Sequence, residues 1–324
     1  MLHSLMNHLL NPVAYMVPVL LPVALLTLFA RKLLGLMQLR MGPSVVGPYG
    51  LLLPIADGVN LLIKEPVRPS TSSRFLFLAT SILAVTLAMT LWAPMRIPYP
   101  VIGPNLWVLL ILGMSSLAVY SILGSRCASN SKYALIGALR AVAQKISYEV
   151  SLGLILVSVI IFSGGYTLQS FSTAQESISL LAPAWPLGAM CYISTLAETN
   201  RARLDLTDGE SELVSGFIVE YGGGPLAMFL LAVYASIPLL KTLSAVLYSG
   251  ESLMHHFPEL TTNSLMSKAA LLSIVFLWVR ASYPRFRLDL LKHLVWKNIL
   301  PFTVALVLRH VGLPMASAGL PPQF

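Results

Sequence analysis

Between Glu149 and Glu176 lie 26 consecutive residues with no Asp, Glu, Lys or Arg, opening on Val150-Ser-Leu-Gly-Leu-Ile-Leu-Val-Ser-Val-Ile-Ile-Phe162. About 20 apolar residues suffice to cross a bilayer as a helix, and in lipid each backbone polar group must find its partner within the segment. The pattern recurs near 8–29, 75–93, 105–125, 147–163, 178–197, 222–240, 266–281 and 298–316. The expected fold is therefore all-α: one polytopic transmembrane domain over 1–324 with eight transmembrane helices. Composition agrees, with 56% hydrophobic and 10% charged residues, where soluble domains carry about 25% charged.

The charges then order the spans. With eight crossings both termini share one side, and four connections face the other. Those connections hold Arg31, Lys32, Arg40, Lys64, Arg68 and Arg74; Arg126, Lys132, Arg140 and Lys145; Arg201 and Arg203; Arg280, Arg285, Arg287, Lys292 and Lys297. That is seventeen of 21 cations, and cation-rich loops stay on the bacterial cytoplasmic or mitochondrial matrix side. The net charge of +8 is thus a topology signal. It does not indicate nucleic acid, because the cations are not clustered with stacking aromatics.

Cys127 and Cys191 are far apart, and an iron–sulfur cluster needs about four thiolates. Of the six histidines only His310 falls inside a predicted span, so no pair is set for a haem. Any redox centres belong to partners. Residues 1–30 contain no Lys or Arg, which fits neither a transit peptide nor a signal peptide. The first apolar stretch is expected to remain as a span. No internal repeat supports an inverted-repeat transporter.

The acids are concentrated. Glu198, Asp205, Asp208, Glu210, Glu212 and Glu220 lie within 24 residues and make up six of the thirteen carboxylates. Thr207 and Glu210 have capping-box spacing, predicting a helix start near Asp208. Carboxylates crowded where a loop enters a membrane helix point to proton or cation handling, although an exposed acidic loop fits the spacing equally. Glu149 sits at the inner end of the fourth span or inside it. An ionisable group there is costly and functional by default, while pairing with Lys145 four residues earlier is the plainer reading.

Two connections have further character. The long one, 31–74, contains Pro54-Ile-Ala-Asp-Gly-Val-Asn-Leu-Leu-Ile-Lys-Glu65. Ile55, Val59, Leu62 and Ile63 recur at helical spacing, predicting an amphipathic surface helix that Pro66 ends. The last one, Val279-Arg-Ala-Ser-Tyr-Pro-Arg-Phe-Arg-Leu-Asp289, interleaves cations with aromatics. It suits headgroup anchoring or a partner's docking edge.

Several runs together carry a resemblance across nearly the whole chain. They include Met37-Gln-Leu-Arg-Met-Gly-Pro-Ser-Val-Val-Gly-Pro-Tyr-Gly50, Lys64-Glu-Pro66, Ala128-Ser-Asn-Ser-Lys-Tyr-Ala-Leu-Ile-Gly-Ala-Leu-Arg140, Ile146-Ser-Tyr-Glu-Val150, Ala197-Glu-Thr-Asn-Arg201, Gly209-Glu-Ser-Glu-Leu-Val-Ser-Gly216 and Arg280-Ala-Ser-Tyr-Pro-Arg-Phe-Arg287. The sequence resembles the chain 1 family of proton-pumping NADH–ubiquinone oxidoreductase, the complex I subunits that join the two arms. The resemblance implies a core membrane subunit of the mitochondrial inner membrane, with both termini toward the intermembrane space. Ubiquinone would be the substrate, with NADH, FMN and iron–sulfur clusters held by partner subunits. Partners would be the quinone-site peripheral-arm subunits, neighbouring membrane-arm subunits and membrane lipids, with no nucleic acid. It assigns Arg31, Arg40, Asp57, Asp205, Phe229, Arg280 and Arg285 to the quinone channel. Glu149, Glu198, Glu210, Glu212, Glu220 and Tyr234 fall to the proton path, with the acidic loop at 198–221. No catalytic or metal-ligating residue is assigned.

The sequence departs from the family's pattern at Ala30 and Val233, where Glu is usual, and at Met41, Ser44, Leu53, Asn60 and Arg203-Leu204. The related membrane subunit of energy-converting hydrogenases is a weaker match. The runs Gly42–Pro48 and Arg280–Arg287 argue against it, and the missing repeat argues against a stand-alone cation-coupled transporter. A passive anchor would require that neutralising Glu149 or Glu210 leave pumping intact.

Overall fold

The structure is a computed structural model that describes residues 2–95, 103–176, 179–199, 218, 220–250, 258–283 and 287–316. Among these residues there is no strand. The helices are α1 (Leu2–Met37), α2 (Leu53–Ile63), α3 (Arg74–Thr90), α4 (Trp107–Ser129), α5 (Lys132–Ser163), α6 (Leu168–Ala174), α7 (Trp185–Glu198), α8 (Gly223–Ser244), α9 (Pro258–Ser282), α10 (Leu288–His293) and α11 (Leu300–Ala316). A π-helical turn, Ala245–Ser249, extends α8, and another, Leu294–Ile299, joins α10 to α11.

Six of the described helical stretches are long and apolar enough to cross a membrane: Met16–Met37, Trp107–Ser129, Lys132–Ser163, Gly223–Ser249, Thr261–Ser282 and Asp289–Gly312. The expected spans near 75–93 and 178–197 appear as helices of 17 and 14 residues. At 1.5 Å per residue α7 is about 21 Å long, shorter than a hydrocarbon core of about 30 Å.

The fourth span begins earlier than its apolar run. Asn130 closes α4 in the left-handed region, φ 53°, its N–H donating to the Arg126 carbonyl at 3.1 Å. Extended Ser131 then starts α5 at once. Lys132, Arg140 and Lys145 are therefore helical, not loop residues. Glu149 lies near the middle of α5, which has 32 residues. The reason is packing: Ala134, Gly137, Ala138 and Ala141 are buried, and small residues let helix backbones approach where lipid supplies no hydrophobic drive.

Buried serine hydroxyls are satisfied within their own helices. Ser125, Ser151, Ser158 and Ser194 donate to carbonyls three or four residues back, the low-cost solution without water. Between helices the polar ties are few and specific. Trp92 Nε1 donates to the Ala235 carbonyl at 3.2 Å, tying the end of α3 to α8. Trp107 Nε1 donates to the Pro94 carbonyl at 3.1 Å. Tyr221, just before α8, stacks on Phe77 at 4.1 Å and donates to the Ser125 carbonyl at 3.2 Å. Burial holds its phenol above the ordinary value, so it stays a donor.

The turn-rich run after α1 folds back onto that helix. Lys32 Nζ donates to the Tyr49 carbonyl. Gly50 has φ 74°, and a Cβ there would stand 2.5 Å from the Pro43 carbonyl oxygen; the turn therefore requires glycine. The helix predicted over 54–65 is α2, and the chain leaves it at extended Lys64. The predicted helix start near Asp208 lies outside the described residues.

Candidate functional site

A cavity of about 720 Å³ lies between α1, α2 and α8. Its apolar wall is built by Leu20 and Val23 of α1, Leu61 of α2, and Met228 and Leu231 of α8; Tyr234 also lines it. Arg31 and Asp57 stand at one edge, joined by an ion pair of 2.8 Å between α1 and α2. Their side chains remain about half exposed, at 54% and 43%. Gly223 sets how α8 enters this wall. Its φ is 62°, and a Cβ would lie 2.7 Å from the Lys64 carbonyl oxygen. The segment leaving α2 therefore lies directly against the start of α8.

From α2, Asp57, Gly58, Leu61 and Leu62 line the cavity. Ile55, Val59, Leu62 and Ile63, the stripe read from the sequence, are all exposed, so Leu62 belongs to both sets. An apolar cavity of this size whose charged lining is the Arg31–Asp57 pair and Lys64 suits an elongated apolar ligand carrying a polar head.

A second set of groups surrounds α5. Ser115 Oγ donates to Glu149 Oε1 at 3.2 Å. Gln144 Nε2 donates to the Ala197 carbonyl at 2.8 Å, holding the end of α7 against α5. Lys145 interacts electrostatically with both Glu198 and Glu149. Thus Glu149, Lys145 and Glu198, 53 positions apart at the extremes, form one alternating cluster. Two carboxylates with a cation between them can share and exchange protons.

The structure brings together Arg31, Asp57 and Tyr234 in the cavity, and Glu149 with Glu198 in the cluster. Other expected members stand apart. Phe229 is buried and meets the Tyr221 ring edge-on at 5.0 Å, outside the cavity lining. Arg40 is exposed, its Nε donating to Gln38 Oε1 at 2.8 Å. Arg280 is half-buried in the last turn of α9. Glu220 is half-buried immediately before Tyr221. Asp205, Glu210, Glu212 and Arg285 lie outside the described residues. Among the described residues no three His, Cys, Asp or Glu side chains group as a metal site.

The model of the family described as NADH dehydrogenase matches residues 10–311. This chain belongs to the NADH dehydrogenase family. It is 75% identical over 323 residues to the NADH-ubiquinone oxidoreductase chain 1 of Carassius auratus, covering 100% of both chains. Identity to the chain of the same name from Salmo salar is 73%, covering 99% of each. For Danio rerio it is 66%, covering 100% of each.

Ala30 is 8% exposed in an apolar cluster with Leu196, Ile237, Phe276 and Leu277. A carboxylate there would face hydrocarbon. The residue that sequence reasoning missed is Lys241. The predicted sixth span stopped at 240 and left it at a boundary, yet α8 continues through Ser244 and into a π turn. Lys241 is 0% exposed. The available signal was the apolar run Leu243–Leu247 beyond it, which extends the span past the lysine.

Proposed function

We propose that this chain is the quinone-access and coupling subunit in the membrane arm of a proton-pumping NADH:ubiquinone oxidoreductase. The observation that carries this reading is the apolar cavity edged by the Arg31–Asp57 pair, together with a half-buried carboxylate–lysine cluster, in a chain matching NADH-ubiquinone oxidoreductase chain 1 relatives end to end. The quinone tail lies along the walls from α1 and α8, and the headgroup passes Arg31 and Asp57. Electrons arrive from NADH through FMN and iron–sulfur clusters of partner subunits. Reduction of the headgroup to a quinol adds two electrons and two protons. The local demand for protons biases Glu198, Lys145 and Glu149, and that bias is passed toward neighbouring membrane-arm subunits.

The finer assignments belong to the same proposal. The helices α3 and α7 complete eight spans, and α2 is the amphipathic helix at the bilayer surface, a role its exposed Ile55, Val59, Leu62 and Ile63 support. Arg40, Phe229, Arg280 and Arg285 contribute to the channel beyond the described cavity. Asp205 serves the headgroup, and Glu210, Glu212 and Glu220 serve the proton path. The chain resides in the mitochondrial inner membrane with both termini toward the intermembrane space. The test is native electrophoresis of the solubilised membrane: the chain should run in a band that oxidises NADH and reduces ubiquinone. Its absence from every such band would refute the reading.

A further inference from the structure

Among the described residues Lys241 is the one Lys, Arg, Asp or Glu that is fully buried. It cannot snorkel to water, and an ionisable group so placed is costly to retain. Its surroundings are specific. Nζ donates to Thr195 Oγ1 of α7 at 3.1 Å. It stands 4.3 Å from the Tyr192 ring centroid and 4.7 Å from that of Phe276 of α9. Ring faces stabilise a cation without binding its protons, so a single N–H finds an oxygen. Charged and titratable groups facing it are Glu198, Cys191 and Tyr192 of α7, with Tyr248 nearby at Cys191. Glu198 lies beyond ion-pair distance but one helical turn from Thr195, on the same face of α7. The Thr195 hydroxyl donates to the Tyr192 carbonyl at 2.8 Å. A hydroxyl both donates and accepts, and it can rotate between partners.

We propose that Lys241 is a proton-exchanging member of the coupling path, passing its proton to Glu198 through the Thr195 hydroxyl. In this step one N–H bond of the ammonium breaks and an O–H bond forms on Thr195. The original Thr195 proton moves to the Glu198 carboxylate. Ammonium and carboxylate become amine and carboxylic acid, Thr195 is regenerated, and the net charge of the pair is unchanged. Glu198 thereby stands between two lysines, Lys145 on α5 and Lys241 on α8.

The inference rests on the coupling role proposed above, and the assay separates the two. The intact complex carrying K241R, K241M or T195V is reconstituted in proteoliposomes, and the proton-to-electron ratio and solvent deuterium isotope effect on ubiquinone reduction are measured. Arginine keeps the charge but cannot release its proton, so K241R and K241M should both lose proton yield per electron. T195V swaps a hydroxyl for a methyl, and should lower the ratio and raise the isotope effect. K241R pumping at the native ratio would reduce Lys241 to a counter-charge and overturn the proposal. T195V with native ratio and native isotope effect would overturn the relay, and this variant decides if neither lysine substitution assembles. A native complex that does not contain this chain would instead defeat the underlying functional reading.

Discussion

Glu149 offers the most direct test at the scale of single residues. Glu149→Gln keeps its shape and can still accept from Ser115, but it removes the titration. Proton transfer by a positioned side chain contributes roughly a hundredfold or more. The proton-to-electron ratio in proteoliposomes should therefore collapse, while ubiquinone reduction by the uncoupled, detergent-solubilised complex falls far less. An unchanged ratio would reduce Glu149 to a hydrogen-bonding partner of Ser115. Arg31→Ala acts differently. Its pair with Asp57 is half exposed, and such pairs contribute no more than about 1 kcal/mol to stability. Thermal inactivation should barely move, while the KM for ubiquinone should rise; equal loss of NADH oxidation by a hydrophilic acceptor would contradict a channel role. Glu149 stood out in the sequence because it heads a long charge-free apolar run. Lys241 did not, because its charge marks the predicted end of the sixth span although the run Leu243–Leu247 continues beyond it, and a one-dimensional pattern does not show what would stabilise a lysine inside. That stabilisation comes from Thr195 and two aromatic rings on other helices.

At the scale of elements, Gly223 connects α2 to α8. Gly223→Ala places a residue at φ 62° and a methyl carbon 2.7 Å from a backbone oxygen. The left-handed conformation alone costs about 1–2 kcal/mol, and the contact partner is backbone, which cannot swing aside. The expected outcome is a lower melting temperature of the assembled complex together with weaker ubiquinone binding, because the cavity wall shifts. Wild-type values for both would show that α2 and α8 move independently. Helix existence was readable from apolar runs, but helix ends were not. The first turns of α5 precede its apolar run and are fixed by small buried residues and by the left-handed turn at Asn130. The apolar composition behind the 178–197 reading begins before Trp185, where α7 itself starts.

At the scale of the whole molecule, the seventeen-to-four division of cations predicts orientation. A protease applied from the matrix side should cut within 31–74 or 198–221 if it cuts at all. Cleavage near His255–Glu259 from that side would overturn both the eight-span count and the placement of the termini. That prediction rests on loop charge alone, which reflects insertion and needs no knowledge of packing. The cavity, by contrast, joins Leu20–Arg31 and Pro54–Lys64 to Gly224–Tyr234, segments whose pairing no local pattern announces. The separation from Asp57 to Gly224 is 167 residues, and a ribosome adding about 5–20 residues per second takes roughly ten to thirty seconds to cover it. On the proposed membrane placement, α1 and α2 wait through that interval with one wall of the chamber not yet made, and lipid fills the place of α8 until that helix arrives. Under the proposed function, maturation of this chain exchanges lipid for protein at the surface proposed to receive ubiquinone.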